Sequence, residues 1–375
     1  MKKVVLIPDS FKGTMSSVQI CDIMERNVKK YFPECEVLKI PVADGGEGSV
    51  NCFLTAVGGE KRSVRVKNPY MEEMEAFYGI LPNKTAVIEM AACAGLPLVE
   101  QRPNPEVTTT YGVGQLILDA VAQGCEKIVV GLGGSCTNDA GAGAAAAVGV
   151  EFFNAEGEKF VPTGGTLGKV VKISMEHVDE RIKKAQIITM CDIDNPMYGK
   201  SGAAYIFGPQ KGADDEMVQR LDFNLKSFAN RIQTEIGKDV SNIPGGGAAG
   251  AMGAGMVAFF DSKLQMGIET VLDIVKFDEL ITGADFVFTG EGKMDSQSLR
   301  GKVVIGVGKR AKKQAIPVIV VTGDAEEVED AYDMGISAVF STNRIAEDFS
   351  ISRYKSKENM EATMDNIMRL LKIVK

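Results

Sequence analysis

The residues best suited to chemistry are acids and glycines set just after apolar runs. In Cys191-Asp192-Ile193-Asp194-Asn195-Pro196, two carboxylates stand at i and i+2. On an extended segment they share one side. Like charges this close raise each other's pKa unless a cation lies between them. Mg²⁺ could be that cation, or one Asp could act as base on a substrate hydroxyl. An Asx-Pro turn accounts for Asp194-Asn195-Pro196 equally well. The single histidine, His177, lies in a polar stretch and reads as solvated. Proton transfer would therefore rest on Asp, Glu or Lys, and a Ser-His-Asp or multi-His metal site is disfavoured.

The densest cluster runs from Gly131 to Gly143 and contains Gly133, Gly134, Ser135, Thr137, Asn138 and Asp139. It follows the apolar run Lys127–Val130 and leads into the small-residue stretch Ala142–Val148. A glycine turn feeding a helix N-terminus offers backbone N–H groups to phosphate or carboxylate. Close helix–strand packing is the other reading. Asp44-Gly45-Gly46-Glu47-Gly48 and Thr289-Gly290-Glu291-Gly292-Lys293-Met294-Asp295-Ser296 repeat the pattern. Acids placed there cap helices or hold a metal. Asp9-Ser10-Phe11-Lys12-Gly13 ends the first apolar run, and Lys12 is either a cation for phosphate or carboxylate or a solvated lysine. Gly245-x-Gly247-x-x-Gly250 matches a dinucleotide fingerprint formally, but no clear strand precedes it. It reads as close helix packing or as closure around a nucleotide. There is no P-loop and no protein-kinase signature.

The elements that must position these loops alternate. Strands are expected at 3–8, 36–40, 127–131, 186–190, 285–288, 317–321 and 338–340. Helices are expected near 17–31, 48–57, 302–314, 325–334 and 358–373, and residues 58–90 look β-rich. This rhythm predicts an α/β fold with parallel sheets and helices on both faces. A length of 375 residues allows about two domains. The expected division is discontinuous: 1–66 with 282–375 as a Rossmann-like domain, and 67–281 as an inserted α/β domain. Ligands in such sheets bind beyond the carboxyl ends of the strands, so the loops are expected to converge in a cleft between the domains.

Composition narrows the classes. Glycine is high, at 41 of 375 residues, and it clusters beside Asp, Asn and Ser instead of forming linkers. A net charge of −8 argues against a nucleic-acid partner. Seven scattered cysteines without Cys-x-x-Cys argue against a zinc or disulfide framework and fit reduced thiols in a cytoplasm. No run has the length of a signal-peptide core or a membrane span.

Taken in order, the loops resemble the bacterial two-domain glycerate kinases, of the glycerate 2-kinase type. The resemblance rests on Pro8–Gly13, Ala43–Gly48, Thr109–Gly114, Gly133–Asp139, Cys191–Pro196, Phe207–Gly212, Gly245–Gly250 and Thr289–Gly292 with Asp295. Cys136 and Ala140 stand where the family pattern leads us to expect Ala and Gly. The resemblance implies phosphorylation of D-glycerate by Mg²⁺ and ATP, giving 2-phosphoglycerate. With no usable histidine, an Asp must orient or deprotonate the hydroxyl, and Asp192 is expected in that role, with Asp295 as alternative or metal partner. Lys12 would serve the catalytic centre, and Lys211 would bind anionic oxygens. Asp9, Ser10, Asp44, Gly290, Glu291 and the Gly133–Asp139 loop would contact substrate or phosphate, and Asp192 with Asp194 would hold Mg²⁺. A cytoplasmic enzyme is expected, with a homodimer left open. The rival enzymes are a glycerate 3-kinase and a kinase of another small hydroxy acid. The rival outside catalysis is a two-domain ligand-binding protein.

Overall fold

The computed structural model describes residues 1–42, 46, 48–295, 298–300, 302–326 and 329–374, without the Arg300 side chain. Asp44, with Ala43, Gly45 and Glu47, lies outside the described residues, as does Ser296. The chain forms two compact units. One comprises Met1–Asp44, Thr55–Val57 and Met266–Lys375, and the other comprises Gly45–Leu54 and Gly58–Gln265.

The first unit is built on five parallel strands in the order Ile336–Ser341, Val318–Thr322, Phe286–Gly290, Lys3–Pro8, Glu36–Lys39. Side chains alternate across a strand. Val4 and Leu6 therefore share one face, where they pack with Phe288, Val321 and the helices Ser17–Tyr31 and Ser356–Val374. Val5 and Ile7, also fully buried, face the other way, toward the side covered by Val303–Lys312. Ser16 caps the first helix, accepting from the Gln19 N–H at 3.3 Å while Gln19 returns a bond to the Ser16 backbone. The expected helix at 325–334 is shorter. Asp324–Ala325 instead pairs with Lys293–Met294 as a two-residue strand, and the helix is Glu329–Asp333. The reason is local: the Asp324 and Glu326 N–H groups donate to the Gly292 and Met294 carbonyls, which holds that segment extended.

The second unit has six strands in the order Lys263–Gln265, Gln186–Met190, Lys127–Gly131, Thr85–Glu89, Glu73–Ile80, Glu60–Lys67. The first four run parallel and the last two add an antiparallel hairpin. The hairpin is fixed at Asp119, which accepts from the Tyr78 hydroxyl and from Arg62 Nε, both at 2.7 Å. A small antiparallel sheet of Glu151–Phe153, Lys159–Phe160 and Lys172–Ser174 was not anticipated from the sequence. It carries Phe152 into an aromatic cluster with Phe228 and Phe259. Phe228 belongs to the helix Asp215–Ile236, whose buried Val218, Leu221, Leu225, Phe228 and Ile232 recur at helical spacing.

The helices behind the parallel strands touch backbone to backbone. Gly114, in the helix Tyr111–Ala122, lies against the Ala144 carbonyl of Ala142–Ala147, and a Cβ there would run into that oxygen. Among the described residues, no helix is long and apolar enough to cross a membrane. Gly114→Ala is expected to destabilise the protein by about 1–3 kcal/mol through overpacking. Urea unfolding measures this, and a midpoint equal to wild type would contradict the contact.

Candidate active site

In the second unit, strand register aligns the chemical loops. Glu89 pairs with Gly131, and Gly131 pairs with Met190, so three strands end level. Beyond them begin the Met90 turn, the Leu132–Gly141 loop and Cys191–Asn195. Asp192 and Asp194 follow Met190 directly, and both are exposed. Their segment is anchored from below. The Cys191 N–H donates to the Gln265 carbonyl at 2.9 Å, and the Gly247 N–H donates to the Asn195 carbonyl at 2.9 Å.

The Gly133–Asp139 loop descends from surface to core. Gly134 is exposed, whereas Ser135, Thr137, Asn138 and Asp139 are buried. Lys211, only 2% exposed, donates from Nζ to Ser135 Oγ (2.8 Å) and to the Thr137 carbonyl (2.7 Å). It therefore ties the Pro209–Lys211 turn to the loop. Burial lowers its ammonium to about 8, with Cys136 and Asp139 pulling the other way. It stays largely charged at neutral pH. Beside these bonds, Thr137 Oγ1 and both polar atoms of the Asn138 amide are buried without a hydrogen-bond partner. Native interiors rarely leave such atoms unsatisfied.

Asp139 is an internal tie. Its carboxylate accepts from the Thr110 N–H (2.7 Å), Thr110 Oγ1 (2.8 Å), Thr109 Oγ1 (3.3 Å), the Gly143 N–H (3.2 Å) and the Gly141 N–H (3.3 Å). Burial pushes its carboxyl up, against the pull of those donors. The helices starting at Tyr111 and Ala142 have no side-chain cap of their own, and Asp139 serves both. This explains the threonines of the Thr109–Gly114 motif, while Gly112 lies against the Lys67 carbonyl and Gly114 against Ala144.

The Gly245–Gly250 run is a packing device. The turns before Ala248–Phe260 contain no strand, so the dinucleotide context is missing. Gly245 adjoins Cys191, and Gly250 sits on the Thr137 carbonyl too tightly for a Cβ. Ala249 and Ala251 adopt φ of 55° and 66°, and Ala140 adopts 51°. These left-handed alanines hold the turn against the loop, and such strain concentrates at functional sites. The φ of Ala140 also explains why a glycine was expected there.

In the first unit, Pro8 pairs with Gly290, so Asp9 and Glu291 emerge side by side. The Asp9 N–H donates to the Gly290 carbonyl at 2.8 Å, and the Ser10 N–H donates to Asp9 Oδ1 at 2.7 Å. Gly290 abuts the Val321 carbonyl with no room for a Cβ, and the Glu291 carbonyl accepts from Thr322 Oγ1 at 2.9 Å. Lys12 is exposed. Asp295 caps the short turn Ser298–Arg300, accepting from the Ser298 N–H at 3.3 Å. The Glu291 side chain is buried, and its Oε1 has no hydrogen-bond partner. Burial pushes its carboxyl up to about 7, with Ser298 and Lys302 opposing and the acids Asp9 and Asp295 adding.

The expected site residues thus fall into two sets. Asp192, Asp194, Gly133–Asp139 and Lys211 share one strand edge of the second unit. Asp9, Ser10, Lys12, Gly290, Glu291 and Asp295 share one strand edge of the first. His177 is exposed and lies 3.0 Å from Glu151, in keeping with a solvated histidine. Sequence reading missed Glu89, a buried acid at the end of an apolar strand. Its only signal was a carboxylate closing the run Thr85–Ile88.

Because Glu291 has a folded pKa near 7, above the ordinary 4.5, its contribution to stability is full below about 4.5. That contribution is lost as pH rises through 7. Between pH 5 and 8, wild type should lose about 2.5 kcal/mol relative to Glu291→Gln. Urea unfolding across that range checks it, and parallel curves would contradict it.

The family model for the glycerate kinase family matches residues 4–372. A glycerate kinase of Bacillus cereus is 45% identical over 374 residues, covering 99% of this chain and 98% of its own. Glycerate 2-kinase of Escherichia coli K12 is 42% identical over 342 residues, covering 90% of each chain. A crystal structure of a Salmonella typhimurium LT2 protein described as a glycerate kinase 2 superposes with a TM-score of 0.88 at 38% identity, covering 99% of this chain and 98% of its own. With its order of loops and its α/β sheets, this chain is a kinase and belongs to the glycerate kinase family.

Proposed function

We propose that the protein transfers the terminal phosphoryl group of ATP to D-glycerate, giving 2-phosphoglycerate. The family match over residues 4–372 carries the reading. The geometry of the loops supports it. Phosphoryl transfer needs positioning and charge neutralisation more than covalent chemistry. Asp192, exposed at a strand end, orients the acceptor hydroxyl and takes its proton, and no histidine competes for that role. The Ser135–Asn138 loop, clamped by Lys211, binds the substrate. Its unpartnered Thr137 hydroxyl and Asn138 amide offer both donors and an acceptor, which suits a molecule carrying hydroxyls and a carboxylate. Lys12 supplies positive charge toward anionic oxygens, and Asp295 is the alternative base or a metal partner.

Among the described residues, no three His, Cys, Asp or Glu side chains cluster closely enough to hold a metal ion by themselves. Mg²⁺ does not need such a cage, since it binds through one or two carboxylates, waters and substrate phosphates. The exposed pair Asp192 and Asp194 fits that mode. When bound, Mg²⁺ would neutralise charge on the phosphate oxygens. The same reading takes the two compact units as the protein's domains and includes a cytoplasmic location, with assembly as a homodimer open to sedimentation analysis.

Asp192→Asn should keep the wild-type melting temperature and lower kcat by at least about a hundredfold. A coupled ADP-release assay with glycerate measures this, with lactate, tartronate and hydroxypyruvate as controls. Retained activity would reassign the base. Equal turnover of the controls would sink the choice of glycerate.

A further inference from the structure

Glu89 ends the strand Thr85–Glu89, the last of the four parallel strands and a neighbour of Lys127–Gly131, level with Gly131, and is 2% exposed. Its carboxylate faces the start of the helix Ser49–Val57. The Val50 N–H donates to Oε1 at 2.6 Å, and the Gly48 N–H donates to Oε2 at 3.1 Å. That helix begins on Gly48, which has no side chain to cap with and adopts φ 92°. The first N–H groups of a helix have no partner within the helix and carry its positive dipole end. A carboxylate from a different element meets both needs. Gly48 closes the Asp44–Gly48 run, one of the motifs that carry the family resemblance. Capping could have been local, as Ser16 does it for Ser17–Tyr31. Here the cap is long-range, so the helix start is registered to the strand edge where Asp192 and the glycine loop also begin.

We propose that Glu89 is a positioning residue for phosphoryl transfer, acting through the backbone of Gly48 and Val50 to hold the entry of the helix Ser49–Val57 at the strand edge. It does not touch the reacting atoms. Both oxygens accept from N–H groups, so neither can be replaced by an amide nitrogen without setting donor against donor. Glu89→Gln therefore breaks one bond while keeping the shape. Glu89→Asp keeps the charge but shortens the reach, so it retains part of the clamp.

The inference rests on the kinase reading above, and the test separates the two. Wild type is assayed first with ATP and glycerate, because no turnover there would sink the functional reading alone. With wild type active, Glu89→Gln should lower kcat about tenfold or more, with Glu89→Asp recovering part of the loss. Hydrogen exchange read by mass spectrometry should speed up in the peptide 46–57 and stay at wild-type rates in the strands 85–89 and 127–131. Kinetic constants within twofold of wild type in Glu89→Gln would overturn the proposal. So would a loss of activity accompanied by faster exchange across those strands, or global unfolding of both variants by circular dichroism. In those cases the carboxylate holds the fold itself.

Discussion

Two buried carboxylates supply what three helix starts lack. The helices Ser49–Val57, Tyr111–Ala122 and Ala142–Ala147 begin on Gly48, Thr110 and Gly141, and none has a side-chain cap of its own. Glu89 serves the first, and Asp139 serves the other two. An uncapped buried helix end would leave several N–H groups unsatisfied, each at a cost comparable to a lost hydrogen bond. Supplying the cap from a distant residue satisfies those groups. It also fixes where each helix meets the strands. The glycines that forgo local capping are then free for close backbone contact, as at Gly250 on Thr137.

The second unit therefore presents a strand edge whose loops are fixed from beneath. Asp139 sets the helix starts, Lys211 pins the loop from the Pro209–Lys211 turn, and the left-handed turn at Ala249–Ala251 presses on it from a third element. Within the loop itself, the buried polar atoms left without a partner among the described residues are those of Thr137 and Asn138. A loop held this firmly is preorganised, and preorganisation is how electrostatic groups act on a transferring phosphoryl group without reorganising during reaction. In the first unit the same economy holds. Gly290 lets its strand end lie directly against the Val321 carbonyl, and Glu291 is left buried beside Asp9 and Asp295 with a carboxyl near neutral pKa.

Much of the fold was legible in the sequence. Strands such as Val4–Ile7 and Val318–Val321 announce themselves as apolar runs, because strands buried on both faces have no polar side to show. The ordered Gly/Asp motifs carried the family. Other features were hidden for physical reasons. The structural bonds of Asp139 were not legible, because its five donors come from two helix starts, one of them about thirty positions upstream. Glu89 was invisible because a single acid at a strand end carries no local pattern, and its partners lie about forty positions away. The helix expected at 325–334 shrank because backbone bonds to Gly292 and Met294, a non-local pairing, outweighed local propensity. The small sheet at 151–174 was missed since strands of two or three residues have no room to show alternation.

The central claim is that the protein phosphorylates the 2-hydroxyl of glycerate. The most direct measurement is a proton-coupled ³¹P spectrum of the product formed from ATP and D-glycerate. A phosphoester on the secondary hydroxyl has one neighbouring C–H, so the account predicts a doublet alongside ADP. A triplet, from a phosphoester on the primary carbon, or inorganic phosphate with no phosphoester, would contradict it.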